Sequence, residues 1–181
     1  LAEGNAYSRL SLEHATSASN NFDIKYNRCE WIVDPSFKYI SVKITSYFII
    51  TSTTDNLSFD LIDDLTVDSV RQRHHLISFN HVNNTVTVDF GSVKNAGTLD
   101  SVTIFYQGIP PANGFGSFVV STHAGVPVLW TLSEPYGSRD WWPCKNGLDD
   151  KTDSIDVFIT NPSQYTAASN GLRQSIITNG T

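Results

Sequence analysis

The sequence predicts an all-β fold, either an antiparallel β-sandwich or a saddle-like sheet. Short runs in which apolar and polar residues alternate recur along most of the 181-residue chain, and this period is typical of half-buried strands. Clusters of Asn, Gly and Pro separate the runs at short spacing, as they do in all-β domains. No segment carries the apolar pattern of a convincing three-turn helix. Many short strands without helices favour a sandwich or a related sheet.

The chain divides into a short arm and one domain. Residues 1–20 are polar and mixed, and they are predicted to form a loose N-terminal arm or, over residues 7–15, a short helix. Residues 21–181 are predicted to form the β domain, and a chain of this length can bury a sizeable core. In the first strand, the side chains expected to share the apolar face are Phe22, Ile24, Tyr26 and Arg28.

The remaining strands follow at short intervals. Asn83 and Asn84 form a predicted turn, and a His-Ala-Gly turn at residues 123–125 predicts a hairpin between the strands on either side. Pro110 and Pro111 end another run, because proline lacks the N–H that a strand ladder needs. The predicted strands after the first are 39–52, 57–61, 65–71, 75–80, 85–90, 99–107, 117–122, 126–132, 154–160 and one that begins at 175–178.

Composition and charge exclude two classes of partner. The formal net charge is −6, with 18 acidic and 12 basic residues, whereas nucleic acid requires a basic face. No basic amphipathic segment suits a membrane surface, and no apolar run approaches the roughly 20 residues of a membrane helix. We therefore expect neither nucleic acid nor membrane as a partner. Few charged residues and abundant Ser, Thr and Asn suit a secreted or periplasmic protein.

The two cysteines are far apart in sequence. A bridge between Cys29 and Cys144 would close a long loop and contribute a few kcal/mol, on the order of 4. Two buried free thiols are the equal alternative, since cysteine is among the most frequently buried residues. Neither has a companion at C-x-x-C spacing, which argues against a zinc knuckle or a redox motif.

Residues 130–146 have the most unusual amino-acid composition in the chain. They hold three of the four tryptophans, Cys144, and a carboxylate, Glu134, that is followed at once by Pro135. Pro135 ends the preceding strand, so Glu134 is predicted to lie where a strand gives way to a loop, a common place for binding residues. The alternative is a packed β corner, with tryptophans in the core and Glu134 in solvent.

A resemblance to a known family rests on residues 132–146, which read LSEPYGSRDWWPCKN. This segment resembles the signature near the end of the N-terminal domain of M1-family zinc aminopeptidases, the gluzincin group that includes aminopeptidase N and leukotriene A4 hydrolase. In that family a strand ends in Gln or Glu, an Arg follows, and an aromatic-Pro-Cys turn leads to an acidic stretch. Residues 22–35, 114–118 and 169–171 resemble flanking segments. The matching residues of the central segment are Glu134, Arg139, Trp142, Pro143, Cys144, Asp149 and Asp150.

The resemblance implies the saddle-like sheet of M1 N-terminal domains and a role in substrate binding. By this likeness, Glu134 binds the free α-ammonium of a peptide, and Leu132, Pro135 and Tyr136 border the pocket for the first side chain. A carboxylate in a partly desolvated cleft suits an ammonium ion, because opposite charges attract more strongly as the dielectric falls. Structural roles at the same corner are expected for Arg139, Asp140, Trp141, Trp142, Pro143, Cys144 and Cys29.

The catalytic machinery of such a peptidase is not encoded in these residues. A gluzincin needs H-E-x-x-H, two histidines on one helical turn with a glutamate as general base. None of the five histidines is followed by Glu, and the family's Gly-x-Met-Glu-Asn strand is impossible in a chain without methionine. The resemblance therefore implies a non-catalytic domain without cofactor or metal. Zinc would belong to a catalytic domain expected after residue 181, and that domain and a peptide N-terminus would be the partners.

Two other functions remain open from the residues. The chain could be a stand-alone β-sandwich module that binds carbohydrate or protein through an aromatic platform of Trp31, Trp141, Trp142 and Tyr136. It could also be a structural domain that docks on a neighbour through an exposed apolar patch. Exposed, coplanar tryptophans would favour the platform, whereas Glu134 at a strand end favours the peptidase domain.

Overall fold

The structure is a computed structural model that describes residues 16–111, 117–134, 136–147 and 150–178. Residues 1–15 of the arm predicted over residues 1–20, which include the possible helix at 7–15, lie outside these ranges, as do residues 112–116, Pro135 and Asp149. The described residues form ten strands and one short 3₁₀ helix, Ser138–Asp140. The strands are β1 Phe22–Asp34, β2 Phe37–Ile50, β3 Thr54–Asp60, β4 Leu65–Gln72, β5 His75–Val82, β6 Thr85–Lys94, β7 Leu99–Gly108, β8 Phe118–His123, β9 Val126–Thr131 and β10 Ser154–Thr160.

Eight of these strands form one sheet in the order β10-β1-β2-β7-β4-β5-β6-β3, and β8 and β9 form a separate hairpin. The all-β prediction is confirmed. All neighbours are antiparallel except β1 and β10, which pair in parallel. A parallel pair cannot be joined by a tight hairpin, and here the whole chain from β2 to β9 lies between the two strands. Among the described residues no helix is long and apolar enough to cross a bilayer.

The sheet curls over itself at β5. The first residues of this strand, up to Ile77, pair with β4, and the rest, from Ser78 onward, pair with β6. The chain thereby passes from one layer, β10-β1-β2-β7-β4, to a second, β5-β6-β3. The curl brings side chains of the two layers together, with the rings of Phe22 and Phe59 5.2 Å apart and those of Phe48 and Phe90 6.4 Å apart. The sandwich is one continuous curled sheet.

The core lies between these layers. The inner face of β2 is set by alternation, and the predicted set of Ile40, Val42 and Ile44 is buried. Each such aliphatic side chain contributes about 1.5–3 kcal/mol when fully buried. At the β5–β6 turn Asn83 and Asn84 both have positive φ, as a two-residue hairpin of type I′ requires.

The predicted face of the first strand is wrong beyond Ile24. The β1–β2 register shifts between Ile24 and Tyr26, so one extra residue in β1 forms a bulge. An extra residue moves every later side chain to the opposite face. Tyr26 and Arg28 therefore point outward, and the buried side chains after the bulge are Asn27, Cys29 and Trp31.

Two further expectations are corrected. The segment 175–178 forms no strand, and Ile176 and Ile177 are 70% and 79% exposed, since none of the described strands pairs with them. The disulfide alternative is also wrong, since Cys29 and Cys144 are both free and buried. Strands 126–132 and 154–160 are confirmed to within one residue at each end.

Candidate functional site

The corner after β9 brings the predicted substrate-binding residues into one turn. β9 ends at Thr131, and the N–H of Leu132 donates to the carbonyl of Ser117 at 3.1 Å, which holds the turn to the residue before β8. The N–H of Gly137 then donates back to the carbonyl of Ser133 at 2.8 Å. Glu134 lies between these two bonds, of which the first ties the start of the loop to the residue before β8 and the second closes the turn on itself.

Glu134 is exposed at the top of this turn. Among the described residues its side chain makes no hydrogen bond and no ion pair. Its carboxylate oxygens are therefore not occupied by any described residue. Leu132 beside it is 40% exposed, while Pro135 lies outside the described residues.

Tyr136 is half-buried at the far end of the turn. Its carbonyl accepts a hydrogen bond of 2.9 Å from the side-chain amide of Asn146. The backbone after Glu134 is thus tied to the segment that follows the Trp-Trp-Pro-Cys sequence. The loop bearing Glu134, Leu132 and Tyr136 is held at this point by a residue ten positions further along the chain.

Asp140 is buried beneath the same turn, with 2% of its surface exposed. The Ser117 hydroxyl donates to its carboxylate at 2.6 Å. Ser117 also packs against Gly137, where an added Cβ would lie 2.6 Å from the serine oxygen. The carbonyl of Arg139 accepts from the N–H of Ile62 at 3.0 Å. These contacts join the 3₁₀ helix to β8 and to the loop after β3.

The tryptophans of the corner pack on the core. Trp31 is buried, and its ring lies 5.2 Å from that of Trp141 at an angle of 36°. Trp142 lies 6.2 Å from Trp141 at 43°, and both are half-buried. The Trp141 indole N–H donates to Ser133 at 2.9 Å, and its carbonyl accepts from the Tyr106 hydroxyl at 2.8 Å. These rings are tilted and largely covered, so they do not form the flat exposed platform of the alternative interpretation.

A buried carboxylate that the sequence did not single out fastens this corner to β3. Asp60 is fully buried, and its backbone exchanges two hydrogen bonds with Cys144, at 2.8 and 3.1 Å. Its side chain accepts from the N–H of Asn146 at 2.9 Å and from the N–H of Ser17 at 2.6 Å. The only sequence signal was a lone carboxylate at the end of an apolar strand.

Lys145 closes the other side of the corner. Its ammonium pairs with Asp150 and donates to the carbonyl of Phe22 at 2.9 Å. It also lies 4.8 Å from the centre of the Phe22 ring, a distance at which a cation is attracted to an aromatic face. Asp149 of the predicted acidic stretch lies outside the described residues, whereas Asp150 is the partner of Lys145.

Comparison with solved structures identifies the fold. An M1 zinc metallopeptidase from Deinococcus radiodurans matches 90% of this chain with a TM-score of 0.76 and 20% sequence identity. Native yeast LTA4 hydrolase matches 82% with a TM-score of 0.67 and 16% identity. The chain has the fold of the M1 amino-terminal domain. No protein-family model and no curated protein matches the sequence.

The match covers a minor part of each M1 structure. This chain spans 38% of the Deinococcus radiodurans metallopeptidase and 24% of the yeast hydrolase. Another neighbour is described as a two-domain M1 zinc metallopeptidase and is covered to the same 38%. At these identities the likeness is one of fold, and it extends over 82–90% of this chain in the two structures.

No metal site exists within the described part of the chain. His81, near the β5–β6 turn, contacts the carbonyl of Leu61 at 3.0 Å and lies 3.5 Å from Asp63. A histidine that already contacts a carbonyl and a carboxylate has a structural explanation. The zinc implied by the M1 fold has no ligand set among these residues.

The thiols of Cys29 and Cys144 have the properties of unreactive, buried cysteines. Burial, with a smaller contribution from Glu30, raises the pKa of Cys29 from 9.0 to about 12. Burial also raises the pKa of Cys144 well above 9.0. Because the thiolate is the reactive form of cysteine, neither residue is suited to catalysis, and both fill the core near Tyr106.

Proposed function

We propose that this chain is the non-catalytic N-terminal domain of an M1-type zinc aminopeptidase. In this proposal it docks on a catalytic domain and supplies Glu134 to bind the free N-terminus of the substrate. The observation that carries the proposal is the exposed carboxylate of Glu134, without a partner in the described chain, at the strand end of an M1 amino-terminal fold.

The chemistry of the ligand supports a carboxylate at this position. The M1 neighbours include structures described with bound L-arginine, bound L-tryptophan and a bound Tyr-Ser-Ala substrate. A free amino acid and an unblocked peptide share an α-ammonium group. An ion pair at 4 Å contributes about 1 kcal/mol in bulk water and about 4 kcal/mol at an effective dielectric of about 20. A strong ion pair between Glu134 and an α-ammonium group therefore requires a second protein surface that excludes water from the site.

The hairpin β8–β9 is the surface that we propose for docking. Phe118 on one of its faces is buried in the core. On the other side Val126, Trp130 and Leu132 are 54%, 44% and 40% exposed. Apolar side chains grouped beside a binding residue are typical of an interface. A catalytic domain that covers them would also enclose Glu134.

Zinc, the general base and hydrolysis are assigned to the catalytic domain in this proposal. The described residues hold no metal cluster, and the sequence contains no H-E-x-x-H. This fragment alone is accordingly expected to be inactive. A secreted or periplasmic location is part of the proposal and rests on the low charge and the polar composition.

Substitution of Glu134 tests the binding role. In the full-length protein, Glu134→Gln should lower kcat/KM on a free-amine aminoacyl substrate by roughly 10- to 100-fold, the value of one charge-assisted hydrogen bond. Residual cleavage of an N-acetylated substrate should not change. The readout is steady-state kinetics on both substrates with zinc present.

Asp55→Asn is the matched control. Asp55 is an exposed carboxylate, and it lies five residues from the Asp60 bridge along β3, or roughly 17 Å. Its substitution removes the same charge and should leave both rates unchanged. Equal losses of activity in Glu134→Gln and Asp55→Asn would show that the effect comes from the change in net charge alone. If the enzyme is active and Glu134→Gln leaves its kcat/KM unchanged, Glu134 is not part of the substrate-binding site.

A further inference from the structure

A second site lies on the outer face of the first layer of the sheet. An open cleft of about 600 Å³ crosses β1, β2, β7 and β4. Side chains alternate between the two faces of a strand. Trp31 and Tyr106 point inward toward the corner of Glu134, and the cleft lies on the other face. Nothing proposed for Glu134 uses this surface.

One row of residues runs straight across the cleft. The register aligns Arg28 with Thr45, Thr45 with Thr103, and Thr103 with Arg71. The two threonine hydroxyls lie 2.9 Å apart at the centre. Two guanidinium-bearing residues thus flank a floor of hydroxyl groups, with roughly 14 Å between the outer strands.

The cleft concentrates positive charge in an acidic protein. Five of the 12 Lys and Arg residues either line the cleft or form an ion pair with a lining residue. Only two of the 18 Asp and Glu residues do so within the described chain. His74 lies at its edge. The cations are Arg28, Lys43, Arg71, Arg73 and Lys94, and the carboxylates are Glu30 and Asp100.

The carboxylates hold these cations in place. Glu30 pairs with Arg28 at 2.8 Å and with Lys43 at 2.6 Å. Asp100, whose side chain is 3% exposed, pairs with Arg73 at 3.2 Å and lies 3.8 Å from Lys94. Ordering a long cation before a ligand arrives reduces the entropy lost on binding. Each carboxylate serves two cations, so an excess of positive charge remains.

The two arginines at the β4–β5 end of the cleft are only partly engaged by the carboxylates of the described chain. Arg73 has φ 55°, a left-handed conformation that Gly or Asn adopts at lower cost. Arg71 is exposed and has no ion pair within the described chain, and its guanidinium lies 5.6 Å from the centre of the Phe105 ring. Both guanidinium groups retain donors for an incoming anion.

We propose that this cleft binds an acidic oligosaccharide, one that carries uronate carboxylates or sulfate esters. The arginine and lysine donors match carboxylate and sulfate oxygens. Hydroxyls of Thr45, Thr103 and Ser101 and the half-exposed ring of Tyr47 match the hydroxyls and the apolar faces of sugar rings. The cleft is open, which suits a chain that enters and leaves at both ends.

A sugar fits better than a single-stranded nucleic acid. Nucleic acid carries a charge on every residue and would meet a protein of net charge −6. Its successive bases also need a series of open ring faces on which to stack, whereas of the two aromatic rings of Tyr47 and Phe105 in the cleft one is exposed and the other is half-buried. Phe158 beside the cleft is 42% exposed, but one face of its ring is occupied by Arg28, whose guanidinium carbon lies 3.9 Å from the ring centre. Sugars with intermittent anionic groups need only the few cations that are present.

Titration calorimetry on the full-length protein tests the proposal with five hexameric probes. Hexagalacturonate carries carboxylates, a heparin hexasaccharide carries sulfates, and maltohexaose is neutral. Hexathymidylate and hexaglutamate carry the same anionic character on other backbones. Binding of at least one acidic sugar, with neither maltohexaose nor the two other polymers matching it, is the expected result. The sugar that binds more tightly identifies the anionic group.

Arginine substitutions locate the site. Arg71→Gln breaks no ion pair and should weaken binding of the acidic sugar about tenfold, and Arg71→Gln with Arg73→Gln should weaken it further. Lys151→Gln with Arg173→Gln removes two exposed cations elsewhere and should change nothing. The proposal fails if no acidic sugar binds, if hexathymidylate or hexaglutamate binds as tightly, or if Arg71→Gln equals the control.

Discussion

At the scale of single residues, the corner of Glu134 depends on a carboxylate that never reaches solvent. Asp60 is fully buried and accepts hydrogen bonds from both the start of the described chain, at Ser17, and the segment after Cys144, at Asn146. Asn146 in turn holds the carbonyl of Tyr136. One side chain of β3 thus fixes the loop in which Glu134 lies.

Asp60→Ala is expected to lower the free energy of unfolding by about 3–5 kcal/mol, because several buried donors lose a charged acceptor at once. Urea denaturation monitored by tryptophan fluorescence measures the change. Asp55→Asn, on an exposed part of the same strand, should change the stability by less than about 0.5 kcal/mol. A mild effect of Asp60→Ala would mean that the corner is held by its tryptophans.

The buried thiols give the protein a pH-dependent stability. Unfolded cysteine ionises near pH 9.0, whereas folded Cys29 keeps its proton up to about 12. Between these values the folded state binds more protons, so the free energy of unfolding falls as pH rises, by up to about 1.4 kcal/mol per pH unit for each thiol. Below pH 9 this contribution is complete.

Stability measured from pH 8 to 11 in the wild type and in Cys29→Ala isolates this effect, because Tyr106 and Cys144 titrate in both proteins. The wild type should lose stability more steeply. In addition, neither thiol should react with a thiol reagent at pH 8 until the protein unfolds. Rapid reaction of the folded protein would place a thiolate at the surface and contradict the burial.

The position of Glu134 just after a strand end could be predicted from the sequence because its signal is local. A strand pattern ends, a carboxylate follows, and Pro135 comes next. The residues that hold it could not be found in this way. Asp60 and Asn146 are 86 positions apart, and Ser117 and Asp140 are 23 apart, so only the folded chain brings them together.

At the scale of elements, the alternation of apolar and polar residues predicted most strands. It did not predict which side chains of β1 face the core. The bulge at Lys25 leaves no sequence signal apart from the place where the apolar pattern fails, at Arg28. The outward position of Arg28 matters, because it places the guanidinium in the cleft across β1, β2, β7 and β4. The strand predicted at 175–178 failed for another reason, since β propensity without a partner strand is insufficient.

The turn after β9 offers a test at this scale. Gly137→Ala would place a methyl group 2.6 Å from the Ser117 oxygen and 3.1 Å from the carbonyl of Leu132. Overpacking of this kind costs about 1–3 kcal/mol, and it should also lower free-amine peptidase activity by moving Glu134. The measurement is thermal unfolding together with kcat/KM.

A double variant separates the clash from other effects. Ser117→Ala removes the oxygen that meets the new methyl group, although it also removes the bond to Asp140. In Gly137→Ala with Ser117→Ala, the stability loss should be smaller than the sum of the two single losses. Additive losses would contradict a direct contact between these side chains.

At the scale of the whole molecule, the alternation of apolar and polar residues could not predict the curl of the sheet or the parallel pairing of β1 with β10. Alternation reports which side of a strand is buried, but not the neighbour of that strand. The division of β5 between β4 and β6 is a property of pairing, and so is the return of β10 beside β1. The resemblance at residues 132–146 correctly indicated the M1 amino-terminal fold.

The two proposed sites lie on opposite faces of one sheet layer, so each can be removed without the other. Glu134→Gln should leave the binding of acidic sugars unchanged, and Arg71→Gln should leave the cleavage of free-amine substrates unchanged. Calorimetry and kinetics on both variants measure this independence. Loss of both activities in either single variant would indicate a fold defect.

Zinc dependence of the full-length protein tests the central claim most directly. Cleavage of free-amine aminoacyl substrates should be measured before chelation, after removal of metal, and after zinc is added back, beside the 181-residue chain alone. The account predicts activity that disappears on chelation, returns with zinc and is absent from the fragment. A full-length protein without zinc-dependent cleavage of such substrates would contradict it.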